Sequence, residues 1–182
     1  PHILHNNPDL KNQVIIVNGA SKTYSMTGLR VGWALGDNKI MAALADLISQ
    51  STSNLCSLSQ YAALKALQFG EPSIEKSKQV LIQRKKICMD LFSKMNHFTV
   101  MPPDGAFYLW ISVSKAFGKK YKGKTVTNSK EISEILLEDF LVAMVPGAEF
   151  GEDNYIRMSI ASSEADLTKA IERIARFDQQ LN

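Results

Sequence analysis

In this chain of 182 residues, the segment Ser21–Trp33 combines an amine, a guanidinium and hydroxyl groups that could take part in covalent and anion-binding chemistry. It places Lys22 and, eight residues later, Arg30 between two predicted strands. We expect the strands to bury the lysine partly, and burial disfavours the charged ammonium. A neutral amine can form a Schiff base with an aldehyde. The planar guanidinium of Arg30 suits a phosphate dianion, to which the Ser21 hydroxyl could add a further donor.

This segment and two others further along the chain resemble the signatures of one family. The sequence SKTYSMTGLRVGW is similar to the lysine motif of class I aminotransferases that depend on pyridoxal 5'-phosphate (PLP), most closely their bacterial aspartate and aromatic branch. Pro103–Tyr108 (PDGAFY) resembles the family's P-x-G-A-F-Y hairpin. Val145–Ser159 resembles its V-P-G-x-x-F-G segment and the R-x-S strand that follows. Three motifs in the family's order favour membership over coincidence.

The resemblance implies a role for each matched residue. Lys22 would form the internal aldimine with PLP and, once released, move the proton between the substrate Cα and the cofactor C4'. Arg30 and Ser21 match positions that bind the cofactor phosphate. A further phosphate position, which is Ser in some members, is Gly19 here and could contribute only its backbone. Arg157 matches the arginine that binds the substrate α-carboxylate.

The strand predicted around Arg157 supports this role independently. Every second residue of Tyr155–Ala161 is apolar: Ile156, Met158 and Ile160. Side chains alternate between the two faces of a strand, so Arg157 is expected to point away from the core of its domain. Phe107 and Tyr108 could line the same cleft, although we expect one of the two to be a core residue.

The flanking segments predict an α/β fold in three parts. Residues 1–70 are interpreted as the C-terminal part of the PLP-binding large domain, with a sheet and helices. Residues 71–96 are predicted to form a long linking helix, and residues 97–182 a small α+β C-terminal domain.

Hydrophobic spacing and capping residues place the individual elements. The first part has predicted strands at Val14–Val17 and Val31–Leu35, followed by two helices, of which the first begins after Asp37 as N-cap. A long helix is predicted from Pro72 to about Met95. The small domain is predicted to contain four strands and two helices: Phe98–Met101, Ala106–Ile111, Leu141–Val145 and Tyr155–Ala161, with helices at Ser129–Phe140 and from Ser162 or Ser163 onward.

Composition and charge exclude several other classes of protein. The 21 basic and 18 acidic residues are mostly interspersed, so the net charge of +3 does not indicate a nucleic-acid partner. The lysine-rich stretch Lys119–Lys124 is interpreted as a solvated loop. No apolar run approaches the roughly 20 residues that a membrane-spanning helix needs. The protein is therefore expected to be cytoplasmic, with no membrane partner.

The cysteines and histidines do not indicate a metal site or a disulfide. Cys56 and Cys88 lie among apolar helical residues and are interpreted as small buried hydrophobic residues in a reducing compartment. His2 and His5 have helical spacing but lack a third ligand nearby, and His97 is isolated.

The resemblance covers about the C-terminal half of the family's length. The family's groups that stack on the cofactor ring, bind its oxygen and protonate its nitrogen are not in the matched part, so the isolated fragment is expected to be inactive. Aspartate with 2-oxoglutarate is the preferred substrate pair, in a homodimer. This chain has no Arg or Lys between Lys39 and Lys65 to hold a distal carboxylate.

Other functions remain open at this level. The donor could be aromatic or of the alanine type, or the protein could be a PLP lyase or decarboxylase of the same fold. A non-catalytic half that serves dimerisation or regulation is the alternative from a different class.

Overall fold

A computed structural model describes residues 3–182. The chain forms two compact units, Pro1–Ser77 and Lys78–Asn182, of which the first is described from Ile3 onward. Both units combine helices with strands, which confirms the predicted α/β class. Of the histidine pair considered as metal ligands, His2 lies outside the described residues.

The first unit is built on one antiparallel pair of short strands. Its elements in chain order are α1 (Ile3–Asn6), β1 (Ile16–Gly19), α2 (Ala20–Thr23), β2 (Gly32–Leu35), α3 (Asn38–Ser51) and α4 (Ser57–Phe69), with 3-10 turns at Pro8–Asn12 and Thr27–Leu29. Strand β1 begins two residues later than predicted and includes Gly19, because this glycine pairs directly with Gly32 of β2.

The two helices that follow β2 leave most of their apolar side chains exposed. Helix α3 begins as predicted after Asp37, whose Oδ1 accepts a hydrogen bond from the Lys39 N–H at 2.9 Å. Large apolar side chains of α3 and α4 remain exposed: Ile40, Leu47, Ile48, Leu58, Tyr61, Leu64, Leu67 and Phe69. Apolar surface of this extent is typical of a region that another part of a protein covers.

The two cysteines are free and differ in their surroundings. Cys88 is buried as predicted, and burial raises the pKa of its thiol to about 11. The prediction that Cys56 is buried is wrong, because this residue is the N-cap of α4 and lies before its first turn. The backbone N–H groups of Ser59 and then Leu58 lower the pKa of the Cys56 thiol, since they favour the thiolate.

Helix α5 (Glu71–Phe92) contains the position at which the two units divide. It ends three residues before the predicted Met95, and a buried carboxylate binds the backbone that follows. Asp178 is 3% exposed and accepts the backbone N–H groups of Asn96 at 2.9 Å and His97 at 2.8 Å. His97, which looked isolated in the sequence, also places its Nδ1 3.0 Å from Asp178 Oδ1.

The second unit packs helices against a four-stranded antiparallel sheet with the order β3-β4-β8-β7. Its elements in chain order are β3 (Thr99–Val100), β4 (Tyr108–Ser112), β5 (Lys120–Tyr121), β6 (Lys124–Thr125), α6 (Ser129–Glu138), β7 (Val145–Pro146), β8 (Tyr155–Ser159) and α7 (Glu164–Asp178). The strands predicted at Phe98–Met101, Ala106–Ile111 and Tyr155–Ala161 are present but shorter. The strand predicted at Leu141–Val145 is wrong except at its last residue, because β7 begins only at Val145 and Leu141 has a left-handed φ of 56°. Helix α6 ends two residues before Phe140.

A single core fills this unit, and α7 closes it. The largest fully buried side chains are apolar: Phe92, Phe98, Phe177, Leu109, Ile111, Ile132, Leu136, Ile156, Ile160, Leu167, Ile171 and Ile174. Helix α7 begins after Ser163, which is one of the two helix starts predicted from the sequence. The Ser163 Oγ accepts the Asp166 N–H at 3.1 Å and donates to Asp166 Oδ2 at 2.7 Å. This arrangement satisfies the first turn of the helix.

The lysine-rich stretch, interpreted from the sequence as a solvated loop, forms a β-hairpin, and Lys120, Lys122 and Lys124 are exposed as that interpretation expects. Strand β5 pairs with β6, and Lys122 (φ 49°) and Gly123 (φ 81°) form the turn in the left-handed region. The Tyr121 ring is buried against the rings of Phe140 and Phe177, which anchors the hairpin to the core. Lys122 Nζ lies 2.9 Å from Asp139 Oδ1.

None of the helices in the described part of the chain has the length and apolar character that a membrane-spanning segment requires. Within residues 3–182, no group of three His, Cys, Asp or Glu side chains converges as metal ligands would.

Candidate active site

Lys22 lies on a loop whose two ends are held together by β1 and β2. Gly19 stands opposite Gly32 in the strand pair, and the Ala20 N–H donates to the Val31 carbonyl at 3.0 Å. A Cβ added at Gly19 would come within 3.0 Å of that same carbonyl oxygen. A side chain at position 19 would therefore be tightly packed against the neighbouring backbone, which would have to shift by a few tenths of an ångström.

The lysine itself is on the single helical turn α2. The Tyr24 N–H bonds to the Ala20 carbonyl and the Ser25 N–H to the Lys22 carbonyl, each at 3.2 Å. The expectation that Lys22 is partly buried is wrong, because its side chain is exposed. The reason lies in the helical turn: Ala20 faces the small core of the first unit, and a residue two positions later faces roughly the opposite way.

Tyr24 anchors this loop to the start of α5. Its half-buried ring packs against the core of the first unit and lies beside Gly70. A Cβ at Gly70 would come within 2.8 Å of the Tyr24 Cε1 and would overlap the Ala66 carbonyl oxygen. A glycine at this position thus leaves the space in which the Tyr24 ring lies.

Arg30 follows in a strained backbone conformation. Its φ of 55° and ψ of 45° lie in the left-handed region, as does the φ of 54° at Ser25. Residues other than glycine adopt this region at a cost of about 1 kcal/mol or more. The Arg30 Nη1 donates to the Thr27 carbonyl at 2.9 Å, which orients the guanidinium within its own loop. The side chain is exposed, and Ser21 is half-buried on the same loop.

Arg157 belongs to the second unit and lies on β8, between β4 and β7. It pairs with Trp110 on one side and Val145 on the other. The predicted alternation is confirmed, since Ile156 and Met158 are buried while Arg157 is half-buried on the opposite face. The four proposed site residues therefore fall into two groups, with Ser21, Lys22 and Arg30 on one loop and Arg157 in the other unit.

Two aromatic rings lie against the guanidinium of Arg157. Its Cζ is 4.4 Å from the ring centroid of Tyr108 and 4.5 Å from that of Phe150. Trp110 meets Phe150 edge to face at 5.6 Å and stacks on Tyr155 at 5.3 Å. Throughout residues 3–182, no ion pair or hydrogen bond engages this guanidinium.

The expectation that one residue of the neighbouring aromatic pair belongs to the core is confirmed, and the structure adds a third ring that the sequence did not indicate. Phe107 packs against the core, whereas Tyr108 faces Arg157. Phe150 received no role from the sequence, although it belongs to the motif that begins at Val145. Its contact with Arg157 depends on the turn that joins β7 to β8, and spacing along the chain does not show how that turn folds.

The turn that carries Phe150 requires a glycine at its start. Gly147 is buried at the beginning of the 3-10 turn Gly147–Phe150. A Cβ at this position would overlap the carbonyl oxygens of Glu152 and Tyr155. Both obstacles are backbone atoms, which cannot move aside as the end of a flexible side chain can.

The first residue of α6 fixes the other side of this turn. The buried Ser129 donates from its Oγ to Asp153 Oδ1 at 2.6 Å, and its backbone N–H bonds to the same oxygen at 2.9 Å. The Ser129 Oγ also accepts the Ala148 N–H at 3.3 Å. The position of Phe150 thus depends on packing at Gly147 and on hydrogen bonds at Ser129.

We predict that Gly147→Ala lowers the free energy of unfolding of the second unit by about 3 kcal/mol, because the added methyl group must displace backbone. Chemical denaturation followed by circular dichroism measures this change. Gly105→Ala is the matched control, since nothing lies within 4 Å of the added Cβ. It should change the same quantity by less than about 1 kcal/mol. Equal effects of the two substitutions would contradict this account of Gly147.

Comparison with known proteins gives consistent matches along the chain. Residues 3–174 match the family model for aminotransferase class I and II. The chain is 43% identical over 168 residues to a probable aspartate/prephenate aminotransferase of Rickettsia typhi, covering 92% of this chain and 42% of that protein. It is 42% identical over 165 residues to an asparagine–oxo-acid transaminase of Streptococcus mutans, covering 91% of this chain and 41% of the relative.

A solved structure agrees with these relatives. The crystal structure of an aspartate aminotransferase from Rhizobium meliloti matches with a TM-score of 0.95 and 35% identity, covering 100% of this chain and 46% of that one. The chain therefore spans less than half the length of the relatives it matches. These findings confirm the resemblance seen in the three motifs.

Proposed function

This chain belongs to the family of class I and II aminotransferases, and we propose that the intact protein is a PLP-dependent transaminase in which Lys22 holds the cofactor covalently. The reaction would move an amino group from an L-amino acid to a 2-oxo acid. When bound, PLP supplies an electron sink that lets the substrate Cα lose its proton. The main support for this proposal is that one loop between the paired strands β1 and β2 contains Ser21, Lys22 and Arg30.

The chemistry of this loop fits an aldehyde that carries a phosphate. Lys22 offers an exposed primary amine on the helical turn α2. Ser21 and Arg30 offer a hydroxyl and a guanidinium as donors to a phosphate. The bond from Arg30 to the Thr27 carbonyl uses one N–H and leaves the others for a ligand. Gly19, with no side chain, could contribute only backbone.

Lys22 would also move a proton. After an incoming amino group has released its Nζ, the neutral amine is a base that can accept the proton from the substrate Cα and return it later. Arg157 would bind the α-carboxylate of the same substrate. Its planar fork of donors suits a carboxylate, and no acidic side chain of the described residues competes for it.

Aspartate with 2-oxoglutarate is the substrate pair we propose first. The name of the Rickettsia typhi relative, a probable aspartate/prephenate aminotransferase, supports aspartate as the amino donor. Asparagine is the second candidate donor, because a relative of similar identity is named for asparagine. The absence of Arg and Lys between Lys39 and Lys65 bears on this choice, since aspartate would need a cation from elsewhere for its distal carboxylate.

Family membership supports the remaining proposals. We propose that residues 1–70 complete a PLP-binding large domain, residues 71–96 link it to the next domain, and residues 97–182 form the small domain. We also propose a homodimer of the intact protein. The exposed apolar side chains of α3 and α4 support a covering partner surface.

Replacing Lys22 tests the proposal most simply. In the intact protein, Lys22→Ala should abolish the absorbance band of the lysine-bound cofactor and lower kcat by roughly a hundredfold or more, because the base is lost. Lys39→Ala, which removes an exposed lysine of α3, should change neither quantity. Full activity and an unchanged band in Lys22→Ala would show that another lysine holds PLP.

The isolated chain offers a further test. Residues 1–182 alone should not transaminate at a useful rate, because the family's groups that stack on the cofactor ring and protonate its nitrogen are not among them. Side-by-side turnover assays of this chain and the intact protein measure the difference. Turnover of the isolated chain at an ordinary aminotransferase rate would refute this expectation.

A further inference from the structure

Among residues 3–182, the guanidinium of Arg157 is contacted by two aromatic rings and has no ionic partner. We propose that Phe150 and Tyr108 are positioning residues that fix the plane of this guanidinium for a carboxylate ligand. This inference rests on the proposed function, in which Arg157 binds the substrate carboxylate. The affinity of Arg157 for the carboxylate would then depend in part on Tyr108 and Phe150, which need not touch the substrate.

Both rings are close enough to attract the cation. The Cζ of Arg157 lies 4.4 Å from the Tyr108 centroid and 4.5 Å from the Phe150 centroid, inside the range of a cation–π contact. A ring face attracts the guanidinium through its quadrupole and does not consume the N–H groups as a carboxylate would. The in-plane donors of Arg157 therefore remain available for a ligand.

The lack of an ion pair to Arg157 among residues 3–182 makes this arrangement useful for binding. An internal carboxylate would orient Arg157 but would also neutralise it and compete with the substrate. An arginine with no partner would lose much rotamer freedom when it bound a ligand. Among residues 3–182, Arg157 has ring contacts and no ionic one, so it is ordered while keeping its charge.

A second layer supports the Phe150 ring. Trp110 presents an edge contact to Phe150 at 5.6 Å and is itself stacked on Tyr155 at 5.3 Å, with an interplanar angle of 10°. Trp110 pairs directly with Arg157 across the two strands. The orientation of the guanidinium is thus tied to the sheet from which Arg157 projects.

If Phe150 and Tyr108 fix the guanidinium plane, losing one of these rings should affect substrate binding more than the chemical step. An arginine whose plane is fixed in advance loses less entropy when the carboxylate binds. Loss of a ring should therefore weaken substrate binding and leave the later proton transfer at Lys22 nearly intact. The effect should appear mainly as a rise in KM, with a smaller change in kcat.

Phe150 is the better residue to replace, because it is 50% exposed and its loss does not open the core. In the intact protein, Phe150→Leu should raise KM for the amino-acid substrate about threefold to thirtyfold, which is the range expected for a cation–π contact. Phe150→Tyr, which keeps a ring face, should bring KM back toward the original value. Leu137→Ala is the matched control, because Leu137 is 52% exposed on α6 and should leave KM unchanged.

A spectroscopic measurement tests the geometry without relying on activity. A group above a ring face is shielded by the ring current, so the Nε–H of Arg157 should resonate upfield of the other arginines in an NMR spectrum. The upfield shift should diminish in Phe150→Leu and persist in Leu137→Ala. An ordinary resonance position in the unmodified protein would overturn the inference.

The variant Arg157→Ala separates failure of this inference from failure of the proposed function. It should raise KM by roughly tenfold or more, because a charged contact is lost. If Arg157→Ala leaves KM unchanged, Arg157 does not bind the substrate and the inference falls with that role. If Arg157→Ala raises KM and Phe150→Leu does not, only the positioning role of the ring is wrong.

Discussion

The antiparallel pairing of β1 with β2 fixes both ends of the loop from Ala20 to Val31, and the proposed cofactor contacts depend on it. The pairing is closed by the bond between the Ala20 N–H and the Val31 carbonyl, at a place where Gly19 and Gly32 let the two backbones meet. Between these ends the chain turns through one helical turn at Lys22 and two left-handed residues. Without the strand pairing at its ends, this segment would not keep two residues in the unfavourable left-handed region.

The two arginines that we propose bind anions are oriented by different contacts, and neither contact neutralises the guanidinium charge. Arg30 is oriented by the backbone carbonyl of Thr27, and Arg157 by the rings of Tyr108 and Phe150. Neither arginine forms an ion pair with a carboxylate among residues 3–182. Each guanidinium is thus ordered while its charge stays available, which is what binding a phosphate or a carboxylate requires. Polar contacts at Ser129 and Asp178 hold turns of the second unit in place.

Features that depend on local sequence could be predicted, and those that depend on distant contacts could not. Asp37 and Ser163 cap helices as their types and positions indicated, and the alternation around Arg157 placed its side chain correctly. The exposure of Cys56 was missed because its position at a helix start, and not its apolar neighbours, decides its burial. The contact between Phe150 and Arg157 was missed because a turn brings them together.

The same distinction explains the error about Lys22. Its motif identified the residue, but its burial depends on which side of a short helical turn faces the core. The many lysines of the hairpin indicated a solvated segment and did not indicate that Tyr121 among them is buried against the core. Residue types at fixed spacing therefore identify which residues could be functional better than they predict how buried those residues are.

The central claim is that Lys22 holds the cofactor, and chemical trapping tests it most directly. The intact protein would be incubated with PLP, reduced with borohydride to make the lysine–cofactor linkage permanent, digested and mapped by mass spectrometry. The account predicts that the pyridoxyl group is found on the peptide that contains Lys22. Its recovery on a different lysine, with Lys22 unmodified, would contradict the account.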